Sequence, residues 1–365
     1  MEIKAMVTHE TNQLSLETVE LDEPKATEIR VKITACGVCH TDAAALAQFI
    51  PVQLPAIMGH EGVGVVDKIG DAVEDLKVGD HVIMTFPSCG LCPSCRRGHP
   101  YACKIMNPLM FDGTYKDGTK RLHQNGEDIS SFFGQAAFAT YSVVDSRNAI
   151  KVDPDVDLAP LCSLGCGVQT GAGTVLNRIK PEPGTSIAVF GCGAVGMSAI
   201  MAAKIAGCST IIGVDAVPSR LELAKELGAT NVINGKDADA VAEIRKLTDG
   251  GANYSVECSG VIALANQAID CLGVEGTAVI VSVTGELEMK IKPEPMIMNP
   301  SRTFAGIVEG GSNPQIFIPK LVQYYKEGRL PIDKMTKYYK FEDIQKAFDD
   351  SHSGAVIKPI LTFDK

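Results

Sequence analysis

The sequence predicts an α/β protein of two domains, one β-rich with an inserted cysteine-rich loop and one built on a doubly wound parallel sheet. Three observations carry this expectation. Up to about residue 160, short segments alternate apolar and polar residues between Gly and Asp turn signals. From about residue 168, compact apolar strands alternate with helical patterns. Between the first such strand and its helix stands Gly191-Cys192-Gly193-Ala194-Val195-Gly196, a G-x-G-x-x-G turn. The 365 residues suffice for two domains, and a chain 45% hydrophobic and 21% charged has ordinary globular composition.

The elements follow in order. EIRVKITA (28–35) sets Ile29, Val31, Ile33 and Ala35 on one face, the pattern of a half-buried strand. GVGVVDKIG (62–70) and GDHVIM (79–84) continue it. SIAVFGCGAVGMSAIMAAKIAG (186–207) reads as buried strand, glycine turn and apolar helix, and TIIGVDAV (210–217) as a second strand. SRLELAKELGA (219–229) is an amphipathic helix ending on glycine, as helix C-termini favour. NYSVECSG (253–260) and TAVIVSVTG (277–285) add strands. Helices are expected at IPKLVQYYKEG and FEDIQKAFDDSHSG, with VIKPILTF as a closing strand. No internal repeat is present.

The glycine turn alone is a weak signal, because tight turns without a ligand are common. Its context strengthens it: Asp215 closes the second strand, 19 residues past Gly196. Glycines admit a pyrophosphate close to the backbone, and the helix N-terminus stabilises its charge. Asp215 can accept hydrogen bonds from the ribose hydroxyls and would repel a 2′-phosphate, which favours NAD over NADP.

The segment SCGLCPSCRRGHPYAC holds Cys89, Cys92, Cys95 and Cys103. Four thiolates from one short loop suit a closed tetrahedral structural zinc. The common iron–sulfur spacings differ, and the acidity of the chain argues against a zinc-ribbon DNA reader.

With a net charge of −10 and no basic block, nucleic acid and anionic membrane are poor partners. No apolar run reaches 18 residues, and the first residues have no signal-peptide pattern, so a cytoplasmic location is expected. Twelve cysteines in such a compartment point to metal or catalytic thiols rather than disulfides. The stretch Cys36-Gly37-Val38-Cys39-His40 spells a haem-attachment site, but attachment requires export, which nothing here supports.

Adding Cys39-His40-Thr41-Asp42, Gly59-His60-Glu61-Gly62 and LGCGVQTGAG to the glycine turn and the four-cysteine loop, the chain resembles the zinc-containing medium-chain alcohol dehydrogenases along its whole length. Among them it is most similar to the aryl-alcohol (benzyl alcohol) dehydrogenases and their terpenol-oxidising relatives. The resemblance implies a GroES-like catalytic domain over residues 1–167 and 309–365 and a Rossmann NAD-binding domain over 168–308.

The resemblance also implies a second, catalytic zinc held by Cys39, His60 and Cys166 with one position open, so two zinc ions per chain. Asp42 would orient His60 through its other ring nitrogen, and Glu61 would lie behind the metal. Thr41 would receive the alcohol proton; its alternative role is a helix N-cap before DAAALA. His40 and Lys358 would face the cofactor pyrophosphate, where the family often carries arginine. Arg220 joins Gly191, Gly193, Val195, Gly196 and Asp215 in the expected cofactor set.

Phe86, Val283 and Val308 fall at positions that line the family's substrate pocket, although each is also an ordinary core residue by type. Ala44 stands where well-known members carry a histidine that completes the proton relay, which implies activity rising with pH, while His40 and Lys358 in place of arginine imply weaker cofactor binding. The implied reaction is reversible oxidation of a primary aromatic or allylic alcohol to its aldehyde, by hydride transfer from a zinc-bound alkoxide to NAD. The alternatives are the family's glutathione-dependent formaldehyde branch and a non-catalytic zinc- and NAD-binding protein. A small-molecule substrate and a homo-oligomer, dimer or tetramer, are expected.

Overall fold

The computed structural model describes residues 1–363, which fall into two compact units. The first comprises residues 1–166, 313–323 and 332 onward; the second comprises 167–312 and 324–331. Residues 309–312 and 324–331, expected with the first domain, group with the second. Asn177 donates to the Gly310 carbonyl at 3.1 Å, and a Cβ on Gly173 would lie 2.3 Å from that same oxygen, so this turn is seated directly on the helix Gly167–Gly173.

In the first unit, the strands Glu2–Thr8, Ser15–Leu21, Leu122–Gln124, Glu127–Ser131 and Ala56–Ile57 close a small barrel. Beside it, among the described residues, a seven-stranded sheet is organised around the strand Glu28–Gly37. Ile29, Val31, Ile33 and Ala35 are buried as their alternation predicts, and Cys36 and Gly37 extend the strand beyond the expected end. The start of this strand is pinned by a buried bidentate pair, Arg121 Nε to Glu28 Oε2 at 2.9 Å and Nη2 to Oε1 at 2.6 Å.

Register places the site. Gly37 lies opposite Glu61, Cys36 opposite Gly62 on one side and Leu361 on the other, and Ile360 opposite Gly37. The ends of Glu28–Gly37, Glu61–Ile69 and Lys358–Thr362 therefore converge, just before Cys39.

In the second unit the parallel strands run in the order Asn231–Asn234, Thr210–Asp215, Ser186–Phe190, Ala252–Glu257, Leu272–Ile280 and Thr303–Gly306. This is the Rossmann order. The order in which strands are added reverses at Ser186–Phe190, whose residues are buried throughout because both faces are covered by helices. The helix Pro218–Leu227 begins on proline and is stopped by Gly228 at φ 131°. The strand expected at 277–285 instead runs from Leu272 to Ile280, so Val283 lies beyond its end.

Candidate metal centres and dinucleotide site

After the strand Glu28–Gly37, Val38 leads to Cys39, the N-cap of the helix His40–Leu46. Thr41 is thus inside the helix and is not its cap. The cap is reinforced by Asp42, whose Oδ2 accepts from the Cys39 N–H at 3.0 Å. The other oxygen, Oδ1, accepts from the Gly59 N–H at 3.0 Å and from His60 Nδ1 at 2.8 Å. One buried carboxylate therefore joins the Cys39 segment to the His60 segment. Gly59, at φ 92°, has no room for a side chain, since a Cβ there would lie 2.4 Å from the Phe138 nitrogen.

Cys166 follows the turn Cys162–Gly165, which is fixed by Thr85 Oγ1 donating to the Gly165 carbonyl at 2.8 Å. The ligand atoms of Cys39, His60, Glu61 and Cys166 all lie within 4.8 Å of one another. His60 Nε2 is buried and has no hydrogen-bond partner, while Nδ1 is committed to Asp42. Burial alone would lower the His60 pKa, but the charge and hydrogen bond of Asp42 raise it well above its ordinary value. The pocket thus stabilises positive charge at Nε2. A hydrogen bond from Cys166 holds Cys39 well below the ordinary thiol range despite burial, with Lys358 and His60 adding to the effect. Two sulfur donors, one of them favoured as thiolate, and an imidazole nitrogen with no other partner fit zinc.

The remaining expected catalytic residues are placed as follows. Thr41 Oγ1 stands 3.7 Å from Cys39 Sγ, and His40 is exposed. Lys358, expected at the cofactor phosphates, is 2% exposed, with its ammonium 2.9 and 2.8 Å from the two Glu61 oxygens and 3.4 Å from the Val38 carbonyl. Burial raises the Glu61 pKa even though Lys358 opposes it; burial would lower the Lys358 pKa, but Glu61 raises it. Gly37 leaves room for this pair, since a Cβ there would lie 2.0 Å from Glu61 Oε2.

Sequence reasoning also missed an aromatic wall. Phe133 stacks on the His60 ring at 4.4 Å and 29°, and Phe132 meets its edge at 5.6 Å and 80°. The run FFG was a visible signal, but neither period two nor period 3.6 singles it out. Phe86 is buried in the same unit, whereas Val283 and Val308 lie in the second unit and are 55% and 49% exposed.

In the four-cysteine loop the sulfurs also lie within 4.8 Å of one another. Backbone N–H groups of Leu91 and Cys92 point at Cys89 Sγ at 3.4 and 3.3 Å, and that of Cys89 points at Cys103 Sγ at 3.2 Å. These donors stabilise thiolate charge, so this set also fits zinc, with no side closed by any other ligand type. Arg147 Nη1 and Lys116 Nζ both donate to the Cys89 carbonyl, at 2.9 and 3.2 Å, and anchor the loop within the first unit. A neighbouring cleft of about 590 Å³, lined in part by Tyr115, Lys116 and Arg147, contains none of the groups proposed for catalysis.

The second unit contains a cradle for a dinucleotide. Gly191 is at φ 92°; a Cβ on Gly196 would lie 1.8 Å from the Gly191 carbonyl oxygen; a Cβ on Gly193 would meet nothing within 4 Å. The three glycines serve the turn, the helix–strand approach and an open face, respectively. Gly193 caps the helix Ala194–Ala206 without a side-chain bond, so its first N–H groups face outward beside half-buried Val195. Asp215 accepts from the N–H groups of Cys192, Ala216 and Val217 at 2.7, 2.7 and 2.9 Å. Arg220 Nε is buried without a partner. An open glycine face, an anchored acid and an unsatisfied guanidinium nitrogen fit an adenine dinucleotide.

These features define a two-domain chain with two sets of metal-ligand side chains in the first unit and a dinucleotide-type glycine turn in the second. The comparisons with known proteins agree. Residues 25–154 match the alcohol dehydrogenase GroES-like domain, and residues 194–324 match the zinc-binding dehydrogenase family. A geraniol dehydrogenase of Castellaniella defragrans is 38% identical over 357 residues, covering 96% of this chain and 94% of the relative. A benzyl alcohol dehydrogenase from Acinetobacter calcoaceticus has a solved structure 40% identical, with TM-score 0.97 and full coverage of both chains. An alcohol dehydrogenase zinc-binding domain protein from Burkholderia ambifaria is 44% identical, with TM-score 0.98 and full coverage of both chains. The chain belongs to the zinc-dependent medium-chain alcohol dehydrogenases. Among the described residues, no helix is long and apolar enough to cross a membrane.

Proposed function

We propose that this enzyme oxidises primary aromatic or allylic alcohols to aldehydes with NAD, reversibly. The observation that carries the reading is the buried cluster of Cys39, His60 and Cys166 with His60 Nε2 unpartnered beside aromatic rings. A zinc ion held there would supply a Lewis acid that lowers the pKa of a bound alcohol. Asp42 fixes the His60 tautomer by accepting from Nδ1, which leaves Nε2 to ligate. Thr41 Oγ1 would accept the alcohol proton while passing its own hydroxyl proton onward toward solvent, and Glu61 would balance charge behind the centre while Lys358 holds it. Phe86 supplies apolar pocket wall in the first unit, and the exposed His40 is available to a cofactor phosphate.

Similarity to an enzyme named for benzyl alcohol and to another named for geraniol supports flat or unsaturated apolar substrates. With a panel of alcohols and NAD, kcat/KM should be highest for benzyl and allylic alcohols. Activity on S-(hydroxymethyl)glutathione far above benzyl alcohol would overturn this choice.

The Asp215 carboxylate supports NAD, because a 2′-phosphate would meet a charge already fixed by three N–H donors. Asp215→Ser is expected to lower the NAD/NADP ratio of kcat/KM by at least about tenfold, since a charge-repulsion difference near 1.4 kcal/mol is tenfold. An unchanged ratio would remove Asp215 from that role.

The second unit exposes Phe304 on its outer strand Thr303–Gly306, which supports assembly into a dimer or tetramer through that edge. Twelve free cysteines fit a reducing cytoplasm.

A further inference from the structure

We propose that Phe133 is a positioning residue that holds the imidazole plane of His60 for zinc; the inference rests on the reading of Cys39, His60 and Cys166 as the catalytic metal site. The starting observation is backbone strain. Phe133 sits at φ 55°, ψ 20°, in the left-handed region that side chains avoid, and is followed by Gly134 at φ 57° and Ala136 at φ 53°. For a non-glycine residue this conformation costs about 1–2 kcal/mol. Such strain persists only where the surroundings over-determine it, and it gathers at functional sites.

The surroundings here are those of the metal ligand. Ala137 N–H donates to the Gly59 carbonyl at 2.9 Å and Phe138 N–H to the Met58 carbonyl at 3.0 Å, which sews the strained turn to the residues just before His60. Gln135, fully buried, donates through Nε2 to the Thr85 carbonyl at 3.0 Å, and Thr85 in turn holds the Gly165 carbonyl next to Cys166. The strained segment is therefore tied to both sides of the cluster.

The left-handed conformation turns the Phe133 ring onto the face of His60, at 4.4 Å and 29°. This contact supplies what Asp42 cannot. A single hydrogen bond at Nδ1 fixes one point of the ring, about which Nε2 can still swing. A flat ring lying on the imidazole face fixes its plane, and Phe132 against the edge at 80° blocks the remaining sense of rotation. Phe111, T-shaped to Phe133 at 5.6 Å and 81°, in turn backs Phe133. If Phe133 were only core filler, a branched apolar residue of similar size would preserve the metal.

The test uses the full-length enzyme and four variants: Phe133→Leu and Phe133→Met, which fill space without a flat face, Phe133→Tyr, which keeps the face, and Phe133→Gly, which removes both ring and strain. Zinc content is measured by elemental analysis, catalytic-site affinity by chelator competition, and geometry by the d–d spectrum after cobalt(II) replaces zinc. Leu, Met and Gly variants should hold the catalytic metal about 10- to 100-fold more weakly, as for other groups that orient ligands, with a shifted cobalt spectrum. The four-cysteine zinc should remain, and Tyr should restore wild-type behaviour. The Met variant serves if the Leu variant does not fold. Wild-type affinity and spectrum in Leu or Met, or losses in Tyr as large as in Leu, would overturn the inference alone. One zinc rather than two in the wild-type chain would overturn the metal reading beneath it.

Discussion

His60→Ala should lower kcat/KM for benzyl alcohol by about 1,000- to 10,000-fold and reduce the zinc content from two ions per chain to one. The magnitude follows from removing a Lewis acid that supplies several kcal/mol of charge stabilisation, at 1.36 kcal/mol per tenfold. Selectivity between the two metals is the informative part. His60 belongs to the cluster of Cys39, Glu61 and Cys166, while the other centre is built only from Cys89, Cys92, Cys95 and Cys103. The variant should therefore keep its structural zinc and its fold. Elemental analysis alongside steady-state kinetics checks both halves; a chain that keeps two zincs and most of its activity would remove His60 from the centre.

Lys358→Met should destabilise the protein by about 3–5 kcal/mol at neutral pH, because it strands a charge that the fold buries. Glu61 and Lys358 are 0% and 3% exposed at their side chains and lie 2.8 Å apart. Methionine preserves most of the volume but leaves the Glu61 carboxylate without its cation. The pH dependence has a definite sign. The folded-state pKa of Glu61 is already raised, by burial first, and loss of Lys358 removes the largest effect opposing that rise. A raised carboxylate pKa favours folding below its unfolded value and loses that advantage as pH climbs through the folded value. The deficit relative to wild type should therefore narrow as pH falls from 7 toward 5 and widen above. Replacing both residues with apolar ones should recover much of the loss. Urea unfolding across this range reads all three statements; a deficit independent of pH would contradict them.

The two predictions rest on residues of different legibility. The four cysteines stand within 15 residues, so local spacing alone announced a tetrahedral site. Cys39, His60 and Cys166 are separated by 20 and 105 residues, and no periodicity connects them; only the resemblance grouped them. The Glu61–Lys358 pair spans 297 residues, and it forms because antiparallel register sets Ile360 and Glu61 both against Gly37. Register between distant strands is a property of the closed sheet and has no local signature. Phe133 was missed because its role depends on one backbone dihedral, and left-handed conformations advertise themselves in sequence mainly through glycine or asparagine. The strand Leu272–Ile280 was expected five residues late; its ladder runs through Gly273 and Gly276 with a register shift, and glycine inside a strand carries no strand signal of its own.

The position of Lys358 has a consequence for how the chain is made. The parallel sheet of the second unit is finished by residue 306, whereas the strand that carries Lys358 follows more than fifty residues later. A chain emerging from the ribosome at about 5–20 residues per second therefore exposes Cys39, His60 and Glu61 well before the lysine exists to meet that carboxylate. During this interval the half-built sheet presents Glu28–Gly37 with an open edge where Lys358–Thr362 will pair. The strand translated after the whole parallel sheet is thus the one that both covers this edge and neutralises the buried acid.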